Sequence, residues 1–232
     1  MLVVARDGGR RGGRGNTSGV RVVRAAATRA ALIAAARHRF ARSGYHATGT
    51  NDLVALAGVT RGALYHHFRD KEQLFEAVFR QVAEELSAAA GEAVRPLADE
   101  PWRQLQEGLQ AYLRLVAANR EAQRVLLLDG PAVFGWTRWR ELQSEYTFGH
   151  LVLMLERLAD LEVIERRPPR PLAHLMLAAL YDAAMSIAHA AQPEAARVEA
   201  GEALSALVRG LRLDDQGSSA AAASLSVDSA VR

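Results

Sequence analysis

Between Thr60 and Lys71 the chain brings together an arginine, a tyrosine, two adjacent histidines and a lysine, in the run TRGALYHHFRDK. Leu64 and Phe68 lie four apart and turn inward together, which leaves Arg61, Gly62, Ala63, Tyr65 and His66 facing outward. The chemistry on that side is recognition, not bond making. The Arg61 guanidinium can bond the O6 and N7 of guanine bidentately, while Gly62 and Ala63 offer close approach or a methyl contact to thymine. Lys71 falls in the first turn of the next helix, where a cation opposes the helix dipole. A phosphate lying against that helix end would account for it. His66 and His67 diverge by about 100° on a helix and cannot chelate one metal from the same face, so no metal site is expected.

The elements that must carry these groups are short helices. Leu53 and Ala57 lie four apart on a first helix, and Ala57-Gly58-Val59 separates it from the second. Gly58 is the expected hinge, because a steep turn between two packed helices needs a positive φ that costs glycine nothing. Thr60 is placed to cap the second helix, its hydroxyl accepting from a first-turn N–H. Asp70 and Gln73 form a capping-box pair for a third helix that carries Leu74, Phe75, Val78, Val82 and Leu86 toward Val94 and ends at Pro96. Upstream, a helix is predicted from about Arg24, with Leu32, Ile33, Ala36 and Phe40 inward and Arg37, Arg39 and Arg42 outside. Gly44 suits a left-handed C-terminal cap.

The net charge of +3 is unevenly spread: ten arginines before position 50 face only Asp7. A polyanion near that end is the natural partner, although residues 1–22, which include GGRRGGRG, would also read as a soluble, disordered arm. The chain has no cysteine, which excludes disulfides, thiolate metal sites and cysteine nucleophiles. Ser144, Glu145 and His150 are neighbours without a Gly-x-Ser-x-Gly elbow, and no strand precedes a phosphate-binding glycine loop. Catalysis is therefore not expected, and no cofactor is implied. No apolar run reaches the roughly 18 residues that span a bilayer, and no signal-type segment follows the N-terminal arginines. A cytoplasmic, membrane-free protein is the expectation.

From Pro101 to Leu213 the pattern is helical throughout, divided at Gly130-Pro131 and at Pro168, Pro169 and Pro171. Segments are expected at about 120–129, 136–161, 172–191 and 194–211. The segment from Leu172 to Ala191 is apolar on nearly all sides. A second subunit would cover its surplus face, through Leu172, Leu175, Ala179 and Ala183 together with Leu204, Leu207, Val208 and Leu211 of the last helix. The Ser/Ala-rich stretch 214–232 offers no core and is expected to be disordered.

Thr50, Leu53, Ala57-Gly58-Val59-Thr60, Gly62, Leu64-Tyr65, His67-Phe68, Lys71 and Leu74-Phe75 resemble the N-terminal signature of TetR/AcrR-type transcriptional regulators. The resemblance implies an all-α homodimer: an N-terminal three-helix helix-turn-helix domain at 23–70, and a C-terminal helical ligand-binding and dimerisation domain at 71–213. It carries phosphate contacts onto Thr48, Thr50, Thr60, Tyr65 and Lys71, and base-reading positions onto Arg61, Gly62 and Ala63, with His66 suited to either. It further implies an inducer pocket, for which Trp102, Tyr112, Phe134, Trp136, Trp139, Tyr146, His150, Met154, His174, Tyr181 and Met185 are the candidates. The partners are then double-stranded DNA and a small-molecule inducer, and the expected function is that of a repressor released from a pseudo-palindromic operator. The rival readings are a non-specific architectural DNA-binding protein, which the Arg/Gly arm favours, and a helical enzyme.

Overall fold

A computed structural model of the chain describes residues 16–213; the N-terminal part of the Arg/Gly arm and the Ser/Ala-rich stretch lie outside them. The fold is all-α: α1 (Asn16–Ser43), α2 (Thr50–Ala57), α3 (Arg61–His67), α4 (Lys71–Val94), α5 (Pro101–Ala118), α6 (Arg120–Ala122), α7 (Gly130–Ser144), α8 (Phe148–Asp160), α9 (Pro169–His189) and α10 (Pro193–Arg209). A π-helical segment, Gln123–Asp129, joins α6 to α7 without a loop. Helix α1 starts well before Arg24, so the end of the predicted arm is helical, leaving Val22 and Val23 exposed beside Arg21 and Arg24.

Helices α1 to α3 wrap Leu32, Ala36, Phe40, Leu53, Leu64 and Phe68, and Leu74, Phe75 and Val78 of α4 close that core from below. Phe40 meets Phe75 edge-on with ring centroids 5.2 Å apart. Burying one such ring is worth about 2–3 kcal/mol. The caps form as the residue types demand. Gly44 (φ 80°) and Gly58 (φ 66°) take the left-handed conformation, Ala63 N–H donates to Thr60 Oγ1 at 3.2 Å, and Gln73 N–H donates to Asp70 Oδ1 at 2.7 Å. Gln73 completes its box one residue early, its side-chain oxygen accepting from Arg69 N–H at 2.7 Å.

The larger unit packs α5 against α4, α8, α9 and α10. Gly130-Pro131 does not break the chain. Pro131 sits in the first turn of α7, and Gly130 lets Phe79 and Trp139 approach to where a Cβ would lie 2.8 and 3.0 Å from their rings. The expected helix 136–161 is interrupted instead between Ser144 and Phe148. Gln123, at the head of the π-helical segment, donates to the carbonyls of Val116 (2.8 Å) and Ala117 (3.1 Å), satisfying the free end of α5.

Two joints tie the units together. Arg37, expected on the outside of α1, instead forms bidentate pairs with Glu85 of α4 (2.7 Å) and Glu121 of α6 (2.8 Å), and it keeps only a quarter of its side chain exposed. The second joint is at Asp129, which accepts from the Tyr45 N–H at 2.7 Å and faces the Arg124 guanidinium at 3.4 Å. Phe134 then stacks on Phe75 and Phe79, each at 5.4 Å.

Helix α9 is less uniformly apolar than its sequence suggests, since Asp182 and Ser186 lie on its exposed side with Leu175. By length and composition alone it is nevertheless apolar enough to cross a membrane, contrary to the absence of such a run read from the sequence. In the fold it is a core helix, packed against α5, α8 and α10.

Candidate nucleic-acid interface and ligand cavity

The proposed reading face is the outward side of α3 with the N-terminal ends of α2 and α4. Arg61, Gly62, Tyr65 and His66 are exposed there, and Ala63 is half-buried. Leu64 is fully buried beneath them, so the i, i+4 spacing of Arg61 and Tyr65 places both on the solvent side. Their side chains meet: the guanidinium carbon lies 5.6 Å from the Tyr65 ring centroid. The Arg61 guanidinium, and after it the Thr50 hydroxyl, hold the Tyr65 phenol below its usual pKa range. Thr50, Arg61 and Tyr65 are thus neighbours on one surface. Thr60 is exposed, with its oxygen engaged in the cap.

Thr48 does not join them. It is buried, and its hydroxyl donates to the Gly44 carbonyl at 2.7 Å, which stitches the turn after α1 and takes it off the expected phosphate face. Lys71 has a structural reason for its place in a first turn. Its ammonium donates to the carbonyls of Tyr45 (2.9 Å) and Thr48 (3.1 Å) and lies 4.0 Å over the Tyr45 ring. Partial burial lowers its pKa. Two of its three N–H donors are therefore spent on the turn that carries Thr50, and the third is left for an anion. Arg39 is likewise committed, pairing with Asp52 at 3.3 Å.

The second site is a cavity of about 670 Å³ between α4, α5, α8 and α9. Leu105, Leu109, Tyr112, Leu151, Leu177 and Leu180 form its buried inner wall, and Glu84, Gly91, His150, Leu153 and Arg157 its exposed mouth. Of the aromatic and soft side chains singled out in the sequence, Tyr112, Tyr146, His150 and Met154 line it. The others do not. Trp139 is wholly buried, with its indole N–H donating to the Leu126 carbonyl at 2.6 Å, whereas Trp136 is exposed. Phe134 belongs to the joint between the units, and Trp102 lies under Arg212. His174 is an exposed partner of Phe148, with ring centroids 4.3 Å apart, and Met185 packs against the core. Tyr181 stands behind the cavity wall. Its hydroxyl donates to the Gln143 carbonyl at 2.8 Å and meets Thr147 Oγ1 at 2.8 Å. Burial pushes its phenol up to about 12 and carries that of Tyr112 further still. The polar lining that sequence reasoning missed, Glu84, Ser87, Gln104, Thr147 and Arg157, consists of ordinary surface residues whose helical spacing alone gives no signal.

The expected seam residues divide. Leu175 and Leu207 are about 70% and 67% exposed. Leu172, Ala179, Ala183 and Leu211 are half-buried, whereas Leu204 and Val208 face inward and belong to the chain's own core.

Known proteins agree with both units. Residues 32–78 match the family of bacterial regulatory proteins of the tetR type, and residues 102–211 match the tetracyclin repressor-like C-terminal domain. A TetR-family transcriptional regulator from Pectobacterium atrosepticum shares 33% identity at a TM-score of 0.72, covering 83% of this chain and 97% of that one. The HTH-type transcriptional activator FasR of Mycolicibacterium smegmatis is 31% identical over 121 residues, which is 52% of this chain and 54% of the relative. The HTH-type transcriptional repressor BepR of Brucella suis is 33% identical over 107 residues, 45% of this chain and 50% of the relative. The chain thus spans about half the length of these curated relatives.

Proposed function

Since the chain belongs to the TetR family of bacterial regulatory proteins, we propose that it is a homodimeric transcriptional regulator that holds operator DNA with α3 and releases it when a small molecule enters the cavity. The observation that carries this reading is the capped, glycine-hinged pair α2–α3, with Arg61, Tyr65 and His66 turned outward over a closed core. Two such helices would enter successive major grooves about 34 Å apart on a pseudo-palindromic site. Thr50, Thr60, Tyr65 and Lys71 serve phosphates, and Arg61 serves a base edge. The exposed Leu175 and Leu207 support a seam built from α9 and α10 of two copies. A protein reading chromosomal DNA works in the cytoplasm.

Ligand control is a matter of differential affinity for two dimer geometries. Helix α4 runs from Lys71 at the DNA face to Glu84, Gly91 and Val94 at the cavity, so a shift at one end is felt at the other. BepR is a repressor by name and FasR an activator, and repression is the sign proposed here. The test is a footprint on DNA flanking the protein's own coding region, with Arg61→Ala beside the parent. A protected pseudo-palindrome whose preference relaxes at one base pair, by about 1–3 kcal/mol, is expected. Uniform coating of random DNA would instead mean an architectural protein.

A further inference from the structure

The amide nitrogen of Gln143 is buried on α7 with no hydrogen-bond acceptor, and the residue as a whole is 96% enclosed, being 4% exposed. A buried donor left in this way costs free energy that a suitable acceptor would return. Its surroundings say where that acceptor comes from. The Gln143 side chain lies beside the Tyr112 hydroxyl, and Tyr112 lines the cavity. Thr147, bonded to Tyr181 behind it, lines the cavity as well. The remainder of the inner wall is Leu105, Leu109, Leu177 and Leu180.

We propose that the cavity is built for an uncharged molecule with an apolar aromatic-sized body and a carbonyl oxygen at its inner end, which accepts from the Gln143 amide and the Tyr112 hydroxyl. The proposal rests on the cavity being the inducer site, and it adds the chemical class of the inducer. An anionic headgroup is disfavoured at the inner end, because no cationic side chain lines it. A cation is disfavoured because no carboxylate does. The charges sit at the mouth, where exposed Glu84 and Arg157 carry opposite signs. His150 adds no charge preference there. Its Nδ1 donates to the Tyr146 carbonyl at 3.1 Å, so the neutral ring offers only the Nε2 lone pair. Tyr181 cannot compete for the acceptor, since its proton is already given to the Gln143 carbonyl.

The test uses the full chain and an isosteric pair of probes, benzophenone and diphenylmethane, which differ only in the carbonyl, together with 4-benzoylbenzoate as the charged control. Titration should show benzophenone binding about five- to tenfold tighter than diphenylmethane, the worth of one or two hydrogen bonds, with the benzoate weaker than the ketone. Gln143→Leu and Tyr112→Phe should each shrink the ketone preference while leaving the hydrocarbon's affinity in place. Gln143→Leu should also leave the melting temperature unchanged or raise it, because it removes an unpaired buried donor. Equal affinity for ketone and hydrocarbon, tighter binding of the benzoate, a preference that survives both substitutions, or no binding of any probe would each overturn the assignment. Operator binding by the ligand-free protein is measured on the same samples. Specific DNA binding without a ketone preference sinks the ligand class alone, whereas loss of specific DNA binding sinks the regulator reading.

Discussion

Replacing Arg37 by methionine removes the charge while keeping most of the unbranched stem, and so isolates the joint between α1, α4 and α6. Two bidentate guanidinium–carboxylate pairs are lost, one with Glu85 and one with Glu121. The Glu121 side chain is about 25% exposed and the Glu85 side chain about 49%, so the Glu121 pair is the better shielded and should dominate. The substitution also leaves two carboxylates facing each other. Together these effects should cost about 1.5–3 kcal/mol, of which Glu85→Gln alone should account for about 0.5 kcal/mol. For a chain of this length that is a fall in melting temperature of roughly 4–10 °C. Denaturant unfolding of the parent, the three single variants and the two doubles, at one fixed protein concentration, measures the coupling directly. Acidification supplies a second check. Arg37 holds the Glu85 carboxyl below its ordinary pKa, so its contribution to stability is full above about pH 4.3 and fades as pH falls through the lowered value. The deficit of Arg37→Met should therefore narrow below about pH 4. A variant within about 0.5 kcal/mol of the parent, or a coupling to Glu121 no larger than that to Glu85, would refute the reasoning.

Three further substitutions test other parts of the molecule. Lys71→Met should cost about 1 kcal/mol of stability through the orphaned Tyr45 and Thr48 carbonyls and flatten the salt dependence of DNA binding by about one unit; an unchanged slope would confine Lys71 to holding the turn. Gly58→Ala meets open space, so its cost should be the positive φ alone, about 1 kcal/mol in chemical denaturation, and a neutral result would deny the hinge its strain. Leu175→Glu with Leu207→Glu should yield a monomer by sedimentation with helical circular dichroism intact, because neither side chain is part of the core; a surviving dimer would place the seam elsewhere.

What could be read from the sequence was local. The caps at Thr60 and Asp70, the left-handed glycines at 44 and 58 and the inward stripe of Leu53, Leu64 and Phe68 each depend on residues within a few positions, and each forms as expected. Arg37 was misread because its partners lie 48 and 84 positions away, where no periodicity reaches. The aromatic candidates failed for a related reason. Helical spacing tells which residues turn inward, but not which neighbour they meet: Trp139 enters the core while Trp136, one turn earlier, faces out across the kink at Gly135 (φ 71°). Thr48 and Lys71 were assigned to phosphate by position, and only the folded turn shows Thr48 enclosed and Lys71 holding it together.

The π-helical segment between α6 and α7 sets a tolerance that side-chain chemistry alone does not. Its wider turn admits one residue more than an α-helix would, and it is this surplus that lets Gln123 reach the carbonyls of α5 while Asp129 reaches the amide of Tyr45. Deleting a single residue anywhere between them would rotate one end by about 100° against the other and break one of the two attachments. In this stretch the chain should accept many exchanges of side chain and almost no change in length, so that among its relatives gaps should fall on either side of 123–129 and not within it.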